Sequence, residues 1–399
     1  MRTALVVALS AGLLVYALTP QWRSFERMGE RRFQALKLRP KEILVGVCWP
    51  FSANQDGMAD GLQLAKEEIN SGGLAGGIPL RLILRDDGFD WDKIKKIAIE
   101  FSGNPAMSAV VGYYDDSAAI KASTVYEPSR LLHLIVGANN TAMTAHGFDY
   151  LVRTTLSSDK IARSLATMLV DRGYRKFALI WEEDAYGEDL AYQFNVSLNS
   201  LNVNLVYEWS YSRDRADFRL PVNELKGVDA DVVFFAGLEP WAGDFIREAR
   251  KVGVKTDIVG AFSNTPEMRQ RAGRGLEGAM YFEMYNAASA SPENQAFVHK
   301  FQARFGKSPD TWAAQGYDAL HILANAVRTT GSGNPLDLSY AIRFMAPWEG
   351  ANGHYGFDSR GELDDKPIYL DVFRNGAPVI VQESRPVPSS PVRRVGRSF

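Results

Sequence analysis

Two short stretches carry the residue types best suited to holding a small solute: Tyr113-Tyr114-Asp115-Asp116-Ser117 and Ala138-Asn139-Asn140-Thr141. Each packs carboxylates, amides or hydroxyls into a few residues, which is hydrogen-bonding chemistry for a polar ligand and not a nucleophile with its base. Each follows an apolar run, Ala109 to Gly112 or Leu131 to Gly137, and precedes a helical pattern. Such loops sit at the carboxyl edge of a parallel sheet, where ligands lie. Ser117 and Thr141 stand where helix N-caps belong, so free backbone N–H groups are expected to point into the same crevice. Catalysis finds less support. The acid pairs Asp86-Asp87 and Asp115-Asp116 are sequence neighbours, and neighbours on an extended chain point to opposite faces. His133, His146, His299, His321 and His354 show no metal-ligand spacing, and the chain has neither a Gly-x-Ser-x-Gly elbow nor a phosphate loop. No enzyme activity, cofactor or metal is therefore expected.

The elements that must position these loops alternate. Ile43 to Val47 reads as a central strand, followed by a loop from Trp49 to Asp56 and a helix from Gly57 to Asn70. Leu80 to Leu84, the two stretches above, and Tyr150 to Thr155 continue the pattern. The alternation starts afresh with a helix from Ile161, strands at Lys176, Val203, Asp231 and Asp257, and helices between them. Helices then dominate from Asn294 to Met345, before a hairpin at Gly356 to Gly361 and a strand from Ile368 to Phe373. The fold class expected is α/β in two lobes, each a parallel sheet flanked by helices. The segments are 1–40 as a signal or anchor and juxtamembrane piece, 41–155 with 286–346 as lobe 1, 156–285 with 347–384 as lobe 2, and 385–399 as a flexible tail.

With 46% hydrophobic and 23% charged residues the chain is a foldable globular protein, and a net charge of -2 leaves no footprint for nucleic acid. Cys48 is the sole cysteine, which rules out an intrachain disulfide. The run from Ala4 to Leu18 has the length of a signal-peptide core and is expected to direct export and to stay as a membrane anchor. Against that stand Arg23, Arg27, Arg31, Arg32, Lys37 and Arg39, which follow the run and favour a cytoplasmic flank. Gln21 to Leu38 reads as an amphipathic helix suited to a membrane surface.

From Glu42 to Glu383 the chain resembles the type I periplasmic binding proteins of the leucine/isoleucine/valine class, the substrate-binding subunits of ABC importers. The features that carry the resemblance run in order: Glu68-Ile69-Asn70 with Gly72-Gly73, Asp86-Asp87, Val110-Val111-Gly112, Gly137-Ala138, Arg153-Thr154, Tyr186-Gly187, Asp229 to Val233, Gly316-Tyr317-Asp318-Ala319, and Phe357-Asp358 to Gly361. The resemblance implies a ligand held between two hinged lobes. It places Asp116, Ser117, Ala138 and Asn139 where the family holds an amino acid's carboxylate, Tyr186 as a contact from lobe 2, and Leu238 and Glu239 beyond a strand that faces the ligand. Phe262 falls where amino-acid binders keep an acid for the ligand's ammonium. Trp49, Asn54, Tyr114 and Asp115 complete the expected ligand set, with Asn140, Tyr113 and Trp241 as further polar or apolar lining.

Two departures from the family pattern bear on the ligand. An ionised Asp116 would oppose a carboxylate by about 4 kcal/mol at about 4 Å and a surface-like dielectric. Phe262 removes the ammonium's partner. An amide, a urea-like compound, an amine or an atypical amino acid is therefore expected, captured outside the cytoplasm and passed to ABC permease subunits. The alternative is a membrane-tethered sensor of the same fold that acts through a signalling partner.

Overall fold

The computed structural model describes residues 20–37, 40–54, 56–74, 77–238, 240–262 and 264–385. Two compact units divide between Thr155 and Leu156, between Met284 and Tyr285, and between Leu363 and Asp364. The apolar run at 4–18 and residues 386–399 of the expected tail lie outside the described residues.

The chain enters the first unit through α1 (Pro20–Leu36), then β1 (Ile43–Trp49), α2 (Met58–Gly72), β2 (Leu80–Asp86), α3 (Trp91–Gly103), β3 (Met107–Val111), α4 (Asp116–Tyr126), β4 (Leu132–Ile135), the short α5 (Ala142–Ala145) and β5 (Leu151–Arg153). The five strands run parallel in the order β2-β1-β3-β4-β5. All seven residues of β1 are buried, as a central strand covered by helices on both faces must be. The amphipathic helix expected here forms as α1, but its apolar face is not one that a membrane could take. Phe25, Arg32 and Leu36 are buried, and the face they form packs against the unit itself, so it is not free to enter a bilayer.

The second unit repeats the pattern through α6 (Ser158–Asp171), β6 (Phe177–Glu182), α7 (Ala185–Ser200), β7 (Leu205–Tyr211), α8 (Arg219–Leu225), β8 (Val232–Ala236), α9 (Trp241–Lys251), β9 (Asp257–Gly260), α10 (Pro266–Ala272) and β10 (Met280–Glu283). The chain returns to the first unit with α11 (Pro292–Phe305), α12 (Thr311–Thr330), α13 (Pro335–Arg343) and a hairpin of β11 (Trp348–Gly350) and β12 (Gly353–Tyr355). It ends in the second with β13 (Tyr369–Arg374) and β14 (Ala377–Glu383). The order there is β14-β13-β10-β9-β8-β6-β7, with parallel ladders from β7 to β10 and antiparallel ladders joining β10 to β13 and β13 to β14. Read from β7 to β10, this is the strand order of the first unit again, with an antiparallel edge added.

Residues 347–363, assigned above to lobe 2, lie with the first unit. The cause is Asp318, fully buried on α12. Its carboxylate accepts from Ala351 N at 2.8 Å, Asn352 N at 2.7 Å and the Tyr355 hydroxyl at 2.9 Å. A buried charge needs such donors, and they fasten the hairpin to α12. The paired strands are β11 and β12, while Gly356 to Gly361 is a turn closed by a single bridge between Phe357 and Leu363.

Candidate ligand site

In a doubly wound sheet of order 2-1-3-4-5 the ligand crevice opens where the winding reverses, outside the carboxyl ends of the first and third strands. In the first unit those ends are Trp49 and Val111, so the switch point carries the loops 50–56 and 112–115. In the second unit the corresponding ends are Glu182 and Ala236, followed by Asp184 to Tyr186 and by Gly237-Leu238. Of the residues expected to touch ligand, Trp49, Asn54, Tyr114, Asp115, Asp116, Ser117, Ala138 and Asn139 belong to the first unit, and Tyr186, Leu238 and Phe262 to the second. Glu239 lies outside the described residues.

Gly112 sets the first loop. Its φ is 145°, and a Cβ there would overlap the carbonyl oxygen of Cys48, so only glycine lets the chain leave β3 against β1. Gly137 does the same for the loop after β4, since a Cβ would come within 2.8 Å of Tyr113 O and 2.9 Å of the Trp49 ring. The α4 helix begins two residues earlier than the N-cap expected at Ser117 implies. Asp115 is the cap, accepting from Ala118 N at 2.8 Å, and Ser117 lies inside the first turn. Thr141 does precede α5 but makes no side-chain cap bond, a role that Asn140 takes by accepting from Ala142 N at 3.0 Å.

Asp116 thus becomes the first helical residue and turns inward. It is 3% exposed. Its Oδ1 accepts from the backbone N–H of Asn139 at 2.6 Å, joining the two loops, while its Oδ2 is buried without a hydrogen-bond partner. Burial, aided by the charge of Asp115, pushes its pKa up to about 8, against the pull of the Asn139 and Asn140 amides and of Arg153. Burial thus disfavours the ionised form of Asp116, which weakens the repulsion of an anion expected from the sequence.

Behind these loops stands Arg153, 1% exposed, at the end of β5. Its guanidinium donates to Asn139 O at 2.9 Å and Asn140 O at 2.6 Å and pairs with Glu362, which also accepts from Thr144 Oγ1 at 2.7 Å. Glu362 escaped sequence reasoning, although an arginine closing an apolar strand such as Leu151-Val152-Arg153 signals a buried partner.

Aromatic rings form the apolar side. Trp49 is fully buried, with its ring 5.3 Å from half-buried Tyr114 and 5.2 Å from Trp312, and Tyr114 lies 5.1 Å from Trp312. Trp312, on α12, has no neighbour in sequence to announce it. Trp49 Nε1 donates to Asp56 Oδ2 at 2.9 Å, and burial lifts Asp56 to a pKa of about 6 against bonds from Trp49, Met58 and Asn54. Asn54 therefore supports Asp56. Ala138 and Tyr113 belong to the core of the unit, Tyr113 with its hydroxyl 2.7 Å from that of Tyr126, so Tyr113 is not a wall of the site.

In the second unit Tyr186 is half-buried in the first turn of α7, its N–H bonded to the cap Asp184 at 3.1 Å, and Leu238 is half-buried beyond β8. Phe262, expected as a ligand contact, packs with the core of the second unit. It is 3% exposed, stacked 5.7 Å from Tyr281 and lying across Gly260, where a Cβ would collide with its ring. Trp241 opens α9 and packs on the same core.

A model of the family described as periplasmic binding protein matches residues 43–370, most of the chain. The chain belongs to the periplasmic binding proteins. This periplasmic binding protein is 26% identical over 344 residues to the Leu/Ile/Val-binding protein homolog 2 of Brucella abortus, covering 84% of this chain and 91% of the relative. It matches the ABC transporter substrate-binding protein of Desulfitobacterium hafniense, solved in complex with Leu, at a TM-score of 0.77 and 28% identity, over 85% of this chain and all of that one. A leucine binding protein from Thermotoga maritima shares the fold at a TM-score of 0.80 and 20% identity, with coverages of 86% and 99%. The fold class is thus that of the type I periplasmic binding proteins, and the chain is an extracytoplasmic solute-binding protein, not an enzyme.

Proposed function

We propose that this periplasmic binding protein captures a small solute bearing a carbonyl or carboxylate oxygen, an amide, a urea-like compound or an amino acid, and delivers it by hinge closure to the permease of an ABC importer. The observation that carries the reading is Asp116, an inward carboxyl with one oxygen bonded to Asn139 and the other unpartnered at the switch point of the first unit. Protonated, it offers an O–H to a ligand oxygen, and the rings of Tyr114 and Trp312 supply an apolar surface nearby. The Leu bound by the relative from Desulfitobacterium hafniense favours the amino-acid member of this class. Tyr186 and Leu238 stand at the equivalent switch point of the second unit and are proposed as its contribution to the ligand. The apolar run at 4–18 is proposed as a tether to the membrane.

Calorimetric titration with amino acids, amides, ureas and amines at pH 6, 7 and 9 tests this. Binding of an oxygen acceptor through protonated Asp116 weakens as pH rises through about 8. A ligand among the amines alone, binding more tightly at pH 9 than at pH 6, would show that Asp116 acts as a carboxylate and would sink the proposal.

A further inference from the structure

Helix α1 precedes the sheet and is built into the first unit by a charged plug. The Arg32 guanidinium, fully buried, donates to five backbone carbonyls: Met107 at 3.1 Å, Phe101 at 3.2 Å, Ser102 at 2.7 Å, Asn104 at 3.0 Å, and Ser129. Gly29 lies so near the chain at Pro128 that a Cβ would stand 2.8 Å from its carbonyl oxygen. These partners are the C-terminal end of α3, the first residue of β3 and the approach to β4. The helix therefore underlies the amino-terminal edge of the sheet, the opposite end from Asp116 and roughly 16 Å away for a five-residue strand.

The outward face differs in kind. Arg23, Arg27 and Arg31 are exposed, spaced four apart, and none is paired with an acid among the described residues. Glu26 and Glu30, beside them, are engaged with Trp22 at 2.9 Å and Arg130 at 3.0 Å. At about 100° per residue the three arginines fall within roughly 80° of one another, and their stripe is centred about 170° from the face formed by Phe25, Gly29, Arg32 and Leu36. The apolar run 4–18 ends two residues before α1 begins. We infer that α1 is a seat for the first unit on an anionic lipid surface, with Arg23, Arg27 and Arg31 taking phosphate headgroups and the Arg32 plug transmitting that placement to the sheet. The ligand loops then face away from the bilayer. The inference concerns placement and does not depend on which solute is bound.

Flotation of the full chain with phosphatidylcholine vesicles and with vesicles containing phosphatidylglycerol tests it, against the variant Arg23→Gln/Arg27→Gln/Arg31→Gln. The native chain is expected to bind the anionic vesicles more tightly, and the excess to vanish in 0.5 M salt. In the variant the excess falls on the order of a hundredfold, while binding to neutral vesicles, carried by the apolar run, and the thermal midpoint are unchanged. Equal binding of native and variant chains to anionic vesicles overturns the inference.

Discussion

The backbone N–H of Asn139 donates to Asp116 Oδ1 at 2.6 Å, a bond that ties the loop after β3 to the loop after β4 and leaves the second carboxyl oxygen buried without a partner. Replacing Asp116 separates its two roles. Asp116→Asn keeps an acceptor for Asn139 and a donor for ligand, so affinity for an oxygen-bearing ligand should stay within about tenfold and lose its decline above pH 8. Asp116→Ala orphans the Asn139 N–H, a cost of about 1–3 kcal/mol, and should abolish binding. Isothermal titration of the two variants checks this.

Stability should fall with rising pH. Asp116 has a folded pKa of about 8 against an ordinary carboxylate value, so between these values unfolding releases a proton that the native state keeps. The stabilisation is complete below the unfolded pKa and is lost as pH climbs through the folded one. Glu127 at about 7, and Asp56 and Asp371 at about 6, are raised chiefly by burial and act with the same sign. Denaturant midpoints from pH 5 to 9 should decline, and less steeply in Asp116→Asn; a rising curve would contradict the assignment.

Breaking the pair of Arg153 and Glu362 should be severe. Arg153→Met leaves a buried carboxylate, and Glu362→Gln leaves a buried guanidinium with fewer acceptors, each costing about 3–5 kcal/mol. The double variant should recover part of the loss in urea unfolding. Because Arg153 also holds the carbonyls of Asn139 and Asn140, ligand affinity should drop in both single variants.

Arg32→Met should release α1 from the first unit. Five carbonyls lose a charged donor, and a loss of about 2–4 kcal/mol is expected. Hydrogen exchange should accelerate across α1 and the C-terminal end of α3, with the protection of α7 and α9 unchanged.

Phe262→Ala should cost about 3–5 kcal/mol of stability through the cavity it opens beside Tyr281. Ligand selectivity in the same titration panel should not change, since the ring belongs to the core.

The sequence by itself determined the alternation of strands and helices, the buried β1, and the turns at Gly112 and Gly137, because these follow from hydrophobic period and from what glycine alone can do within a few residues. Local chemistry also brought Asp115, Asp116 and Asn139 to strand ends. Only the tertiary structure decided that Asp116 is buried and its pKa raised, since both depend on how much protein surrounds it. The same holds for Phe262, which folds back across Gly260 into the core, for Glu362 and Trp312, which reach the site from positions far along the chain, and for residues 347–363, drawn to the first unit by the buried carboxylate of Asp318. Each of these is a matter of burial or of long-range pairing, and neither has a period that a sequence can display.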